Sequence, residues 1–182
     1  MEKRWSRRFR GLACALLLAL TLPLWAGVAR ADMSSGGGTV MKTLQAGPYA
    51  LKLTIGPLQQ MFSQAQVKEK HPKDGEVMVR GTMTMSGMGG MGMGNHHLEL
   101  QVLQRSTRKP VSNAMVAITI TTPSGKVLQH VPIAVMYGIK EGPSDLHYGN
   151  NVDLKPGHYH VQVQVEHTSA VFDVTLAQGM QM

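Results

Sequence analysis

Two kinds of side chain that bind soft metal ions are concentrated between residues 81 and 102. The stretch GTMTMSGMGGMGMGNHHLELQV holds five methionines and two adjacent histidines, His96 and His97. Thioether sulfur suits Cu(I), whereas imidazole suits Cu(II), Cu(I), Zn, Ni and Fe. These residue types therefore permit copper sites in this stretch.

The methionines of this stretch fall into two groups. Met88, Met91 and Met93 lie in the glycine-rich segment GMGGMGMG, whose backbone is free enough to wrap around an ion but poorly suited to a packed core. Met83 and Met85 alternate along a predicted strand, where flexible thioethers also fill gaps in a core. A low-complexity loop without any ligand is the remaining alternative.

His97 and Glu99 form a second candidate pair in the segment HLELQV. Alternate residues of a strand project from the same face, roughly 6.6 Å apart along the backbone. Two side chains that each reach an ion at about 2.1 Å can close that gap. A solvated His beside a Glu is the structural alternative.

The N-terminus has the pattern of an export signal. Five basic residues in MEKRWSRRFR precede the apolar run GLACALLLALTLPLWAG, and VARA supplies a small-residue cleavage site at Ala31. We expect a signal peptide over residues 1–31, a flexible leader over 32–48 and a single domain over 49–182. The general secretory route is favoured over the twin-arginine route, and the protein is expected in the periplasm with no membrane span after processing.

Cleavage would change both the charge and the cysteine content. Lysine plus arginine would fall from 18 to 12 and acidic residues from 11 to 10, so a net charge of +7 would become +2. The basic character is therefore mostly a targeting signal, and nucleic-acid binding is not expected. The single cysteine, Cys14, would also be removed, which leaves His, Met, Asp and Glu as metal ligands.

From Tyr49 onward, short segments with period-two alternation are separated by turn residues such as PKDGE, TTPSGK and KPG. This pattern predicts an all-β, immunoglobulin-like antiparallel sandwich. The predicted strands include MFSQAQV and VLQHVPIAV, and no long segment has a helical period. In HLELQV and HYHVQVQVE the aliphatic residues are predicted to face the core, and the alternate histidines to face away from it.

The segments HHLEL and DLHYGNNV, followed by PGHYHVQVQV, are similar to the periplasmic iron-transport accessory proteins of the P19 and Tp34 family. The resemblance covers roughly residues 95–166. It implies an immunoglobulin-like domain, a homodimer, a copper site near the subunit interface and work beside an inner-membrane iron permease. The ending HTSAVFDVTL also resembles the extracytoplasmic copper-associated domains of the YtkA and CopC kind.

The resemblance assigns roles to five residues. His97 and His147 would be imidazole ligands, Met136 the thioether ligand, and Glu99 and Asp145 the nearby carboxylates. Met136 and His147 are eleven positions apart, which is longer than the family's spacing. The insertion that carries the family's last histidine is absent, and its replacement is left open among the following residues: His96, His158, His160, His167 and Met93.

Three functions follow from these observations. The first is a non-catalytic periplasmic protein that holds copper, as Cu(I) or Cu(II), at a Met/His/carboxylate site and assists iron or copper uptake; iron is a second candidate ion. The second is a Cu(I) chaperone or copper-resistance protein that uses the methionine loop and a copper-handling partner. The third is a structural or interaction sandwich without metal. Catalytic motifs such as GxSxG and HExxH do not occur in the sequence, so no enzymatic activity is expected.

Overall fold

A computed structural model describes residues 39–81 and 94–178 of the chain. The predicted signal peptide and the loop methionines Met88, Met91 and Met93 lie outside the described residues. Eleven strands, one α-helix and one 3₁₀ helix are described. The elements in chain order are β1 Val40–Ala46, β2 Tyr49–Pro57, β3 Met61–Ser63, α1 Gln64–Lys70, β4 Glu76–Arg80, β5 His96–Gln104, β6 Val116–Thr121, β7 Val127–Val131, β8 Ala134–Gly138, the 3₁₀ helix Gly142–Asp145, β9 His147–Val152, β10 Gly157–Val165 and β11 Thr168–Leu176.

The strands form two sheets, and the predicted all-β sandwich is confirmed. The larger sheet has the order β1-β2-β5-β9-β8-β4-β3, and the smaller has the order β11-β10-β6-β7. All described strand pairs are antiparallel except β3 with β4. Because β5, β9, β8 and β4 are neighbours, residues from four distant parts of the chain lie side by side on one face.

The core lies between the two sheets and follows the predicted alternation. Leu98, Leu100 and Val102 of β5 are fully buried in it, as are the alternate valines of β10. Phe172 of β11 belongs to the same cluster, whereas Asp173, next to it, points outward. Burial of an aliphatic or aromatic side chain contributes about 1.5–3 kcal/mol, so this alternation fixes the register of each strand and the direction in which the intervening polar residues project.

The predicted leader is wrong in its second half. Residues 40–46 form β1, which pairs with β2 through seven successive residue pairs from Val40 with Ile55 to Ala46 with Tyr49. Val40 and Leu44 are half-buried against the core. The alternation of this segment and its hydrogen bonds to β2 therefore outweigh the flexibility that the preceding Ser/Gly residues suggest.

Two predicted strands also have a different structure. MFSQAQV forms β3 and then α1, because Ser63 begins a helix with a capping box in which Ser63 and Gln66 exchange hydrogen bonds. VLQHVPIAV is divided at Pro132 between β7 in the smaller sheet and β8 in the larger sheet. Proline cannot donate a ladder hydrogen bond, which accounts for the break.

Within residues 39–81 and 94–178, no helix has the length and apolar character needed to cross a membrane.

Candidate metal centre

Strand β5 supplies the first two residues of the site. His97 and Glu99 project from the face of the larger sheet that points away from the core, as their alternation with Leu98 and Leu100 requires. His97 was predicted to lie on a polar face, and it is only 1% exposed there. Asn151 is its neighbour on β9 and donates a 2.9 Å hydrogen bond through Nδ2 to the backbone carbonyl of Gln59.

Strand β9 brings His147 beside them. His147 is fully buried, and its ring centroid lies 5.8 Å from that of His97 with the two rings at 78°. The strand pairing explains this approach, because His97 is paired with Asn151 and Glu99 with Gly149, two residues after His147 on the same face. The structure thus brings together two imidazoles that are 50 positions apart in the sequence.

Glu76 completes the cluster, and the sequence analysis missed it. It begins β4, is paired with Gly138 of β8 and is 5% exposed. One ligand atom from each of Glu76, His97, Glu99 and His147 lies within 4.8 Å of the others, so the four residues form a cluster that could hold a metal ion. The alternation of EVMV indicates which face of the sheet Glu76 occupies. The closeness of Glu76 to His147, however, depends on the positions of β4 and β8 in the strand order.

Hydrogen bonds fix the protonated nitrogen of each ring. Nδ1 of His97 donates to Oδ1 of Asn151 at 2.7 Å, and the amide orientation is set by the bond from Asn151 Nδ2 to the Gln59 carbonyl. Nδ1 of His147 donates to the backbone carbonyl of Asp145 at 2.8 Å. A neutral imidazole that donates through Nδ1 carries its lone pair on Nε2. Nε2 is therefore the nitrogen through which each neutral ring would bind an ion.

The atoms left without hydrogen bonds are the ones that would bind an ion. Among the described residues, the buried side-chain atoms lacking a partner are Oε2 of Glu76 and the Nε2 atoms of three histidines: His96, His97 and His147. Three of these four atoms belong to the cluster. His147 Nε2 lies 3.5 Å from Glu76 Oε2, close enough for charge attraction. Buried polar atoms without partners cost folding free energy, and a bound cation would remove that cost.

Burial changes the pKa values of the cluster in a way that favours a cation. Burial raises the pKa of Glu76 to about 7, and the charges of Glu99 and Asp145 add to this effect. Burial also raises the pKa of Glu99 and lowers that of His97, the latter to about 4. For His147, burial lowers the pKa, but its hydrogen bond to Asp145 and the charges of Glu99 and Glu76 outweigh burial and raise it. A divalent ion would therefore displace the proton that Glu76 retains up to about pH 7, whereas burial favours the neutral His97 ring, which can bind an ion.

Asp145 supports His147 from the side opposite Nε2. Besides its backbone contact, its Oδ2 lies 3.4 Å from Nδ1 of His147. Its Oδ1 accepts a 2.7 Å hydrogen bond from Gln101, and Oδ2 accepts one from the backbone N–H of Gly138 at 3.3 Å. Burial raises the pKa of Asp145, yet the bond to His147 and the His147 charge lower it overall. Asp145, which the resemblance places near the ion, therefore holds and orients the His147 ring in this structure.

Met136 of β8 is the cross-strand neighbour of His147 of β9. The register pairs His147 with Met136 and Met136 with Met78, so all three side chains project from the same face. Met136 is fully buried and packs with Met78, Ala134 and Met61 in a small apolar cluster. Because Met136 is paired with His147, this apolar cluster lies next to His147 on that face.

His96 does not join the cluster. As the neighbour of His97 on a strand, it projects from the opposite face, where it is 2% exposed and bonded through Nδ1 to Asn95 Oδ1 at 2.6 Å. His96 is therefore not part of this cluster, because strand alternation directs adjacent side chains to opposite faces. His158 and His160 lie on β10 of the smaller sheet, away from this face.

A cavity of roughly 310 Å³ adjoins Glu76 and Glu99. Its lining carries five carboxylates and a single ammonium group, and its members are Gln59, Asp74, Gly75, Glu76, Glu99, Lys140, Glu141 and Asp145. Lys140 is paired with Asp74, and both are mostly exposed. The excess of negative charge gives a cation an electrostatically favourable approach to the cluster.

No protein-family model, curated protein or solved structure matches this chain. The fold and the site themselves define the class of protein: an all-β sandwich with a buried His/Glu cluster that could hold a metal ion.

Proposed function

We propose that this protein is a non-catalytic metal-binding protein whose cluster holds copper. The observation that carries the proposal is the pair of buried imidazoles, His97 and His147, each donating through Nδ1 so that Nε2 faces a shared space with Glu76 and Glu99. Buried carboxylates and imidazoles without partners are costly, and an ion that accepts all four groups makes the arrangement stable.

The identity of the ion is inferred from the ligands and their surroundings. Imidazole and carboxylate suit Cu(II) and also Zn(II), whereas thioether suits Cu(I). Met136, paired with His147, brings sulfur to the edge of the cluster. A site with both ligand classes accepts both oxidation states of copper, which favours copper over zinc and would allow electron handling or transfer to a partner.

The biological setting is part of the proposal and rests on the sequence. The signal-like N-terminus supports a periplasmic location, and the resemblance of residues 95–166 to the P19 and Tp34 proteins supports a role in iron or copper uptake. The same resemblance supports a homodimer and an inner-membrane iron permease as partner. The closeness of His97 and His147 is consistent with the ligand roles that the resemblance implies for them. Glu76 is a further candidate ligand, and the resemblance assigns it no role.

The test is metal affinity of the purified protein for Cu(I), Cu(II), Fe(II) and Zn(II), each repeated with His97→Ala and His147→Ala. We expect one equivalent of Cu(II) to bind tightly at the cluster, and either substitution to abolish the binding of that equivalent. His167→Ala removes an exposed histidine and serves as the control. The proposal would be contradicted if the cluster substitutions left the number of bound Cu(II) equivalents unchanged. It would also be contradicted if the protein bound no Cu(I) and bound Zn(II) more tightly than Cu(II).

The chaperone alternative predicts a different order of effects. If the methionine loop carries Cu(I), replacing Met88, Met91 and Met93 together abolishes Cu(I) binding, and replacing His147 has little effect. If the cluster carries copper, His147→Ala has the larger effect on Cu(II) binding. Measuring both ions with both variants separates the two functions.

A further inference from the structure

The outer face of the smaller sheet carries a second group of metal-binding side chains. His158 and His160 project from the same face of β10, because the valines and the tyrosine between and after them are buried in the core. Across the strand pair, His158 is opposite Thr175 and His160 is opposite Asp173 of β11. Thus two imidazoles and one carboxylate share one patch of sheet surface.

The distance between His160 and Asp173 matches the spacing of two ligand atoms bound to one metal ion. Nε2 of His160 and Oδ1 of Asp173 are 3.1 Å apart. Two ligand atoms bound to one ion at about 2.1 Å lie roughly 2.9–3.4 Å apart when the angle between them is near 90–109°. An ion could therefore replace the proton between these atoms with little movement of either side chain.

His158 is the next residue of β10 on that face, roughly 6.6 Å from His160 along the backbone. Its Nδ1 is 2.9 Å from the Thr175 hydroxyl, so binding an ion beside His160 requires a movement of the His158 ring and the loss of this hydrogen bond. The backbone spacing is fixed, since β10 is held by β11 on one side and β6 on the other.

Exposure distinguishes this patch from the buried cluster. The Asp173 side chain is 84% exposed and that of His160 is 36% exposed, so an ion would reach them directly from solvent. The patch lies on the opposite sheet from Glu76, His97, Glu99 and His147. Stacked sheets are about 10 Å apart, which excludes a single ion shared between the two sites.

We propose that His158, His160 and Asp173 form a second, solvent-exposed site for a borderline divalent ion, with Cu(II) as the preferred one. This site goes beyond the proposed function, because it neither uses the buried cluster nor depends on it.

The test is Cu(II) binding by the whole protein and by three variants of it. The first variant carries His97→Ala and His147→Ala, the second His158→Gln and His160→Gln, and the third all four substitutions. We expect the wild type to bind two equivalents of Cu(II), each double variant to bind one, and the quadruple variant to bind none. Electron paramagnetic resonance of the cluster-deficient variant should show nitrogen coordination that disappears in the quadruple variant.

His130→Gln is the matched control. His130 is an exposed histidine on the same sheet, and its Nδ1 also contacts a threonine hydroxyl, that of Thr119 at 3.0 Å. This substitution should leave both equivalents bound. Since β10 side chains on this face are not part of the core, the melting temperature should stay within a few degrees of the wild-type value.

The outcomes separate the two proposals. If the His158/His160 variant binds as much Cu(II) as the wild type, or if His130→Gln reduces binding equally, the exposed site is wrong while the buried site is unaffected. If the wild type binds one equivalent that only the His158/His160 substitutions remove, the exposed site is supported and the buried copper site fails.

Discussion

His97 and Asn151 are directly paired across β5 and β9, and a 2.7 Å hydrogen bond joins His97 Nδ1 to the Asn151 side-chain oxygen. This bond holds the ring orientation and leaves Nε2 free for an ion. The Asn151 side chain is in turn fixed by the carbonyl of Gln59. Asn151 is therefore the residue that makes His97 a preorganised ligand.

We predict that Asn151→Ala weakens Cu(II) binding by about 10–100-fold, the usual cost of losing a residue that orients a metal-bound histidine. Asn151→Asp retains an acceptor for Nδ1 and should recover most of the affinity. The measurement is competition with a chelator of known affinity. Equal loss with Ala and Asp would mean that Asn151 acts through packing instead of orientation.

The metal-free protein should show the effect of Glu76 on the pH dependence of stability. Burial raises the pKa of Glu76 from 4.5 to about 7, so the folded state holds this proton more tightly than the unfolded state. The corresponding stability is present below pH 4.5 and is lost as the pH rises through about 7. Glu76→Gln removes the loss. The free energy of unfolding of Glu76→Gln relative to wild type should therefore increase across this range by up to about 3 kcal/mol.

The Glu76→Gln variant must be compared with the wild type, because His97 changes the free energy of unfolding with pH in the opposite direction to Glu76. Burial lowers its pKa from 6.5 to about 4, so its contribution grows as the pH rises between these values. The two effects offset each other in the wild type. Urea unfolding in the presence of a chelator, from pH 4 to 8, measures the difference. Glu69→Gln, on the exposed side of α1, is the control, and parallel curves for Glu76→Gln and wild type would contradict the prediction.

The sequence predicts those parts of the fold that depend on local alternation. The core faces of β5, β10 and β11 follow from period two alone. The division of VLQHVPIAV at Pro132 and the helix that begins at Ser63 were missed. A proline inside an apolar run and a four-residue capping box are short signals, and the longer β-like pattern around them concealed their effect.

The site was predictable as far as residues could be placed on a face. Strand β5 fixes His97 and Glu99 on one face and excludes His96 from it. Glu76 could not be found in this way, because its distance from His147 depends on β4 lying beside β8 and β8 beside β9. That order is set by packing of the whole sheet, which leaves no local mark in the sequence around Glu76.

Met136 gives a prediction that separates the two oxidation states of copper. Met136→Leu removes the sulfur beside His147 while nearly preserving volume, so the fold should lose less than about 1.5 kcal/mol. We expect Cu(I) affinity to fall by at least about tenfold and Cu(II) affinity to change little, because thioether favours the reduced ion. Affinities for each ion, and the reduction potential of the bound copper, provide the measurement.

Met78→Leu is the control for packing. Met78 is paired with Met136 and belongs to the same small cluster, but it is one strand further from His147. Cu(I) affinity should be nearly unchanged in this variant. If both substitutions have the same small effect, the methionines fill space and the ion is held by imidazole and carboxylate alone.

Gly149 permits the close approach of β5 and β9 on which the site depends. It is paired with Glu99 and follows His147 by two residues. A Cβ atom at this position would lie 1.8 Å from the carbonyl oxygen of Leu98, a distance at which the backbone must move. Gly149→Ala should therefore force the two strands apart, lower the free energy of unfolding by more than about 2 kcal/mol and abolish tight Cu(II) binding, because shifts of about 1 Å disrupt ligand geometry.

Gly56→Ala is the matched control on β2. It is paired with His97, but the nearest atom to its Cβ would be Thr39 Oγ1 at an ordinary 3.7 Å, so both stability and Cu(II) affinity should stay close to wild type. Equal behaviour of the two alanine variants in thermal unfolding and Cu(II) titration would show that the strand spacing at Gly149 does not control the site.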